Sequence, residues 1–261
     1  NEIVAQLAIT RDITDRKRME EELLLLYTLI QETSLSEDFR SAIEITLRKI
    51  CETTGWVMGE AWVPSSDRSH LECSPAWYGG FEGLKKFRKI SEGFSFQPGV
   101  GLPGRSWSSK KPTWDRDVTL DSNFPRAPYA REAGLKGAMA IPILAGDEVV
   151  AVMDFFVLEP RAEDRRLVGL VSTIAAYMGT IFQRKQVEEE LRKLYHAVEQ
   201  SPASIFIMDA ALNIEYINPK FTEITGYTRE EVIGKKPDII SSGTAMISDT
   251  EWRGEFLAKK K

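Results

Sequence analysis

Residues 137–157, GAMAIPILAGDEVVAVMDFFV, hold two apolar runs, Gly137 to Leu144 and Glu148 to Val157, joined by the turn Ala145-Gly146-Asp147. Runs of this length across a Gly-Asp turn read as a strand hairpin. Behind it, Ala162 to Gln200 is one helical pattern of unusual length. In front lies a long stretch, Gly79 to Gly134, rich in glycine and proline and carrying Trp107 and Trp114. Further upstream, Trp56 to Val63 and His70 to Tyr78 read as two strands across the polar turn Ser65-Ser66-Asp67-Arg68. Before them, Ser36 to Thr54 places Phe39, Ala42, Ile43, Leu47 and Ile50 at helical spacing, and Gly55 ends the helix. The block therefore alternates helix and strand, as a mixed α/β domain does.

The block is entered and left by similar helices. Arg16-Lys17-Arg18-Met19-Glu20-Glu21-Glu22-Leu23 recurs as Arg184-Lys185-Gln186-Val187-Glu188-Glu189-Glu190-Leu191. In both, apolar residues step by 4, 3, 4: Met19, Leu23, Leu26, Ile30 and Val187, Leu191, Leu194, Val198. A stripe so narrow between dense opposite charges fits a two-stranded seam, so these residues are expected to join two copies of the chain and carry the relay. Each stripe also fits a surface helix packed on its own domain. Within the long helix the stripe slips between Ile181 and Val187, where a domain helix would hand over to a coiled coil. Ahead of the first helix, Ile3 to Thr10 is strand-like, with N-cap chemistry at Thr14 and Asp15. After the second, Ser204 to Asp209 and Asn213 to Asn218 read as a hairpin; Pro219 starts a short helix, and Gly226 and Gly234 act as stops.

The 261 residues carry 43% hydrophobic and 28% charged side chains with a net charge of −5, a balance that offers nothing to nucleic acid. Two cysteines, Cys51 and Cys73, cannot form a disulfide scaffold and fit a reducing, cytoplasmic setting. Two histidines, His70 and His196, argue against a metal centre or His-based catalysis. The longest apolar runs are far short of the roughly 18–20 residues of a membrane span. The chain starts at Asn1 and stops in a lysine run at Lys261, so it reads as a piece of something longer.

The stretches GVGLPGRSW, PTWDRDV, FPRAPYAREAGLKGAMAIPI and VVAVMDFF, in that order, resemble a GAF domain of the kind found in multi-sensor histidine kinases. HAVEQSPASIFIMD, NIEYINPKFTEITGY, TREEVIGKKPDIISSG and EWRGEF are similar to the first part of a PAS domain, and IVAQLAITRDITDRKRMEEEL resembles the last strand and exit helix of another. The resemblance implies an α/β (α+β) class, with a GAF-type central antiparallel sheet flanked by helices, coiled-coil-like linker helices and a partial PAS fold. It divides the chain into an upstream PAS end (1–14), a linker helix (15–34), a GAF domain (35–182), a coiled-coil helix (183–199) and a PAS segment (200–261). Only Thr244 to Thr250 separate Gly243 from the strand expected at Glu251 to Leu257, so that PAS segment is expected to be incomplete.

Catalytic signatures are weak. His196, in KLYHAVEQS, lacks the acidic neighbour of a phosphorylation box, and Gly99, Gly101 and Gly104 lack the Lys-Ser/Thr of a phosphate loop. Asp115, Asp117 and Asp121 lie in a loop, where charge is usually solvated. No catalytic or metal-ligating set is expected. In a GAF-like fold the pocket lies between the sheet and the middle loops; its candidate residues are Trp56, Met58, Glu60, Trp62, Trp77, Phe96, Trp107, Trp114, Tyr129 and Asp154. The same side chains also serve a structural core. Glu60, on the strand parity of Trp56, Met58 and Trp62, needs a partner such as Arg105 if it is buried. The cofactor is unknown. Haem could rest only on Cys73 or His70, which face opposite ways on a strand, and a flavin would sit in the PAS segment, which has no photoreactive cysteine. The bilin and cyclic-nucleotide motifs of the family are missing. The expected role is the non-enzymatic sensory and relay portion of a signalling protein. It would be a homodimer that senses a small ligand or redox state for a downstream histidine kinase. The rival is a ligand-free dimerising spacer; a diguanylate cyclase or transcription activator could replace the kinase.

Overall fold

The computed structural model describes residues 19–20 and 22–241. The strand expected at Ile3 to Thr10, the cap at Thr14 and Asp15 and everything from Ser242 onward, Glu251 to Leu257 included, lie outside them. The chain divides into two compact units, residues 1–186 and 187–261.

The first unit begins with α1 (residues 22–34), α2 (Phe39–Thr54), β1 (Met58–Pro64) and β2 (Leu71–Gly79). Then follow α3 (Glu82–Ser91), β3 (Ser95–Phe96), α4 (Gly101–Ser109), β4 (Thr113–Asp115), α5 (Ala127–Ala133), β5 (Ala138–Ala145) and β6 (Glu148–Phe156). The helix α6 (Arg165–Glu199) closes the unit and runs on into the second. Six strands form one antiparallel sheet in the order β3-β2-β1-β6-β5-β4. Local chemistry sets the element ends: the Asp38 carboxylate accepts the Ser41 N–H at the start of α2, and Gly55 ends it at φ 76°.

Both faces of the sheet are covered, which is why β5 and β6 read as unbroken apolar runs. Leu25 and Leu29 of α1, Ile43, Leu47 and Ile50 of α2, and Val171, Ile174 and Met178 of α6 pack on one face against Ile141, Met153 and Phe155. Leu84 and Phe87 of α3, Leu102 of α4 and Ala130 of α5 pack on the other against Met58, Trp62, Ala140, Val152 and Phe156. The long helix comes close to the sheet at Gly179, where a Cβ would overlap the Leu144 carbonyl oxygen. Gly179→Ala is therefore expected to destabilise the unit by about 1–3 kcal/mol, measured as a shift in its urea midpoint, because neither backbone can retreat without strain.

In the second unit β7 (Phe206–Met208) and β8 (Ile214–Ile217) form a hairpin, followed by the short helices α7 (Pro219–Thr225), α8 (Arg229–Val232) and α9 (Asp238–Ser241). Ile214, Ile217, Phe221 and Val232 form its core. Buried Asn218 ties the unit together. Its side-chain oxygen accepts the N–H groups of Ile205 and Phe221, and its amide donates to the carbonyls of Val198 and Ala203. Among the described residues, no helix is long and apolar enough to cross a membrane.

Candidate functional site

Strand alternation sends Met58, Glu60 and Trp62 of β1 toward α3–α5, and Asp154 of β6 joins them. Glu60 and Asp154 stand opposite each other across the β1–β6 ladder, and both are fully buried. Two carboxylates so placed repel each other and lose their water, so a buried cation is required. Arg126, at the entry to α5, supplies it. Its Nη1 donates to Glu60 Oε1 and, at 2.7 Å, to Ser91 Oγ; its Nη2 reaches Asp154 Oδ2 at 3.4 Å. The guanidinium carbon lies 4.9 Å from the ring centres of Trp62 and Phe87, 5.3 Å from those of Phe96 and Phe124, and 5.6 Å from that of Phe156. The negative ring faces attract a desolvated cation, which offsets part of the cost of burying it.

Arg88 of α3 backs the cluster. Its Nη1 lies 3.6 Å from Glu60 Oε2 and donates to Cys73 Sγ at 2.9 Å, while its Nη2 donates to the Ser74 carbonyl. Ser74 sits where the β1–β2 register shifts, between Glu60↔Trp77 and Trp62↔Cys73, an irregularity of the kind found beside sites. Burial pushes the Asp154 carboxyl well above the ordinary carboxylate range; Arg126 opposes the rise and the Glu60 charge adds to it.

Arg105 is not the partner of Glu60. On α4 it lies 2.7 Å from Asp121 and 3.6 Å from Asp115, because α4 carries it to the outer loops. Trp56 also leaves its expected company. It precedes the first residue of β1, so strand parity does not govern it, and it packs on the opposite face against Phe155 and Trp114. Trp114 accompanies it there and donates its indole N–H to the Arg161 carbonyl. Of the other candidates, Phe96 meets Trp62 edge-on at 4.6 Å. Trp77 and Trp107 are partly buried against the Arg126 side. Tyr129 is 38% exposed and touches Phe94. Gly104 has a packing reason: a Cβ there would overlap the Gln97 carbonyl oxygen.

His70 lies 3.4 Å from Glu72 and contacts Ser69, whereas Cys73 turns to Arg88. Burial pushes both thiols, Cys51 and Cys73, up to about 12. Neither is expected to react with iodoacetamide at pH 8 in the native state, and both should react once urea unfolds the unit; mass spectrometry reads the difference. Fast native alkylation of Cys73 would contradict the geometry. Among the described residues, no group of three His, Cys, Asp or Glu could hold a metal ion.

Sequence reasoning missed Arg126, Arg88, Phe87 and Phe124. A signal existed for the first: an isolated arginine between Pro125 and Pro128, beside Phe124, in a chain whose strands carry two inward carboxylates.

A six-stranded antiparallel sheet covered by helices on both faces, with a buried polar cluster under the loop-side helices, defines the class of fold. The family model for the GAF domain matches residues 36–183, and the chain belongs to that family; a model for the PAS fold matches residues 192–239. Among solved structures, it is similar to the GAF domain from a phosphoenolpyruvate-protein phosphotransferase of Coxiella burnetii. That likeness has 16% identity and a TM-score of 0.56, covering 66% of this chain and 98% of that one, and is one of fold. Protein NLP3 of Arabidopsis thaliana is 33% identical over 121 residues, 38% of this chain and 16% of that protein. The hybrid signal transduction histidine kinase L of Dictyostelium discoideum is 31% identical over 78 residues, 27% of this chain and 5% of that protein. The chain thus spans a small part of the curated relatives it matches.

Proposed function

We propose that this chain is the sensory and relay portion of a multidomain signalling protein. Its GAF domain senses a small molecule at the Glu60–Arg126–Asp154 site and passes the state through dimeric helices to a histidine kinase output. The observation that carries the relay is exposure: Leu23 is 65% exposed on α1 and Leu191 60% on α6, with Met19, Ile30, Val187 and Leu194 exposed beside them. Apolar stripes flanked by charge suit a parallel pairing with a second copy. Leu26 instead leans on the chain's own core, so the α1 seam is narrower than its spacing suggests. The stretch similar to a hybrid histidine kinase supports a kinase output. Two free thiols, Cys51 buried and Cys73 partly buried, suit a cytoplasmic protein.

The test is light scattering. The chain is expected to dimerise, and Leu191→Glu with Leu23→Glu to give a folded monomer. A strict monomer at high concentration with intact helices would sink the relay. One observation favours a second reading, a ligand-free dimerising spacer: the chain's own Arg126 already fills the site. A panel of metabolites assayed by thermal shift separates the two, since a spacer should respond to none.

A further inference from the structure

Arg126 is held in a box that would suit a ligand of its own chemistry. We propose that the space between β1, β6 and α3–α5 is a binding site for a small organic cation with a planar guanidinium head, and that the ligand enters by exchanging with Arg126. The proposal rests on the sensing reading above and names its ligand class.

The walls decide the charge. Two buried carboxylates, Glu60 and Asp154, face the occupant, and Arg88 lies near only Glu60. An anionic ligand replacing Arg126 would meet both acids at close range in a medium that screens poorly. A neutral apolar ligand would leave both without a cation. The walls also decide the shape, because five aromatic rings surround the guanidinium carbon within 5.6 Å. Such a cage recognises delocalised cations better than compact, strongly hydrated ones.

The resident cation is an incomplete fit. Of the wall atoms, Asp154 Oδ1 accepts nothing from Arg126, which reaches only Oδ2 and at 3.4 Å, while the Trp62 indole lies against that carboxylate. A planar cation seated closer to Asp154 than Arg126 can reach gains over the resident. Arg126 precedes the seven-residue α5, outside the sheet. Its connection is held by the buried Phe124 and Ala130 and by polar links: Arg105 to Asp121 and the Asn123 carbonyl, Arg131 to the Thr119 carbonyl, and Lys86 to Glu132. Withdrawing Arg126 would shift this connection and α5 with their buried side chains, while every strand pairing stays in place. The ligand's binding is weakened by competition with the resident side chain, and its entry is coupled to a shift of α5.

The test uses the whole chain. In Arg126→Ala, methylguanidinium is expected to raise Tm by about 3–6 °C per tenfold concentration above its Kd, against sodium chloride at equal ionic strength. Methylammonium should give less. In the wild-type protein, which needs no variant to fold, agmatine is expected to change tryptophan fluorescence saturably and to speed amide exchange in residues 121–133. Glutarate should do neither. No agmatine response in the wild type overturns the exchange, even if the variant is rescued. If the metabolite panel finds a ligand of another charge while agmatine and methylguanidinium are inert, this proposal falls and the sensing reading stands. If nothing shifts the wild type, both fall.

Discussion

Arg126→Met is expected to lower the unfolding free energy of the GAF unit by about 3–5 kcal/mol. Methionine keeps the apolar stem of arginine only as far as the Nε position, so the cage of Trp62, Phe87, Phe96, Phe124 and Phe156 around the guanidinium carbon is left partly empty. It cannot answer Glu60 and Asp154, which remain buried and opposite each other. The loss should therefore combine stranded charge with the void left by the guanidinium. Combining the change with Glu60→Gln and Asp154→Asn separates the two, because removing the charges together should recover the charge part and leave the packing part. Urea unfolding followed by tryptophan fluorescence reads the right unit, since five of the six tryptophans lie between Trp56 and Trp114. If the triple variant is as weak as the single one, stranded charge is not the cause.

The second large effect is on pH. The Asp154 carboxyl is raised by burial, so between the ordinary carboxylate range and its raised value the folded chain holds a proton that the unfolded chain has released. Stability conferred by that proton is present at low pH and is lost as pH rises through this window, by up to about 1.4 kcal/mol per pH unit. Asp154→Asn keeps the shape without the titration and should flatten that part of the profile. In Arg126→Met the attraction opposing the rise is gone, so the slope should extend to higher pH. Identical profiles for the wild type and Asp154→Asn between pH 4 and 8 would show that Asp154 is ionised beside Arg126.

Much of the fold was legible because its signals are local. The apolar runs around Ala145-Gly146-Asp147 become β5 and β6, and Gly55 stops α2 in the left-handed conformation that glycine adopts without strain. The second hairpin and the start of α7 at Pro219 follow in the same way. The site was legible only in part. Glu60 demanded a cation, but Arg105 and Arg126 lie in the same glycine- and proline-rich stretch, and no spacing tells which will turn inward. Packing decides it: α4 directs Arg105 to Asp115 and Asp121, while the turn before α5 tips Arg126 under the sheet. Trp56 was misplaced for a related reason, since parity holds only inside a strand and β1 begins at Met58.

Asn218 also bears on how such modules can be recombined. Its amide grips the carbonyl of Val198 in the last turn of α6 while its oxygen caps α7 and holds Ile205. A chimera joined between Glu199 and Ser204 would give the incoming hairpin a foreign helix end, leaving the Val198 carbonyl to chance. The last turn of α6 thus belongs, for purposes of shuffling, to the segment that follows it, and a splice placed a turn or two earlier preserves the grip.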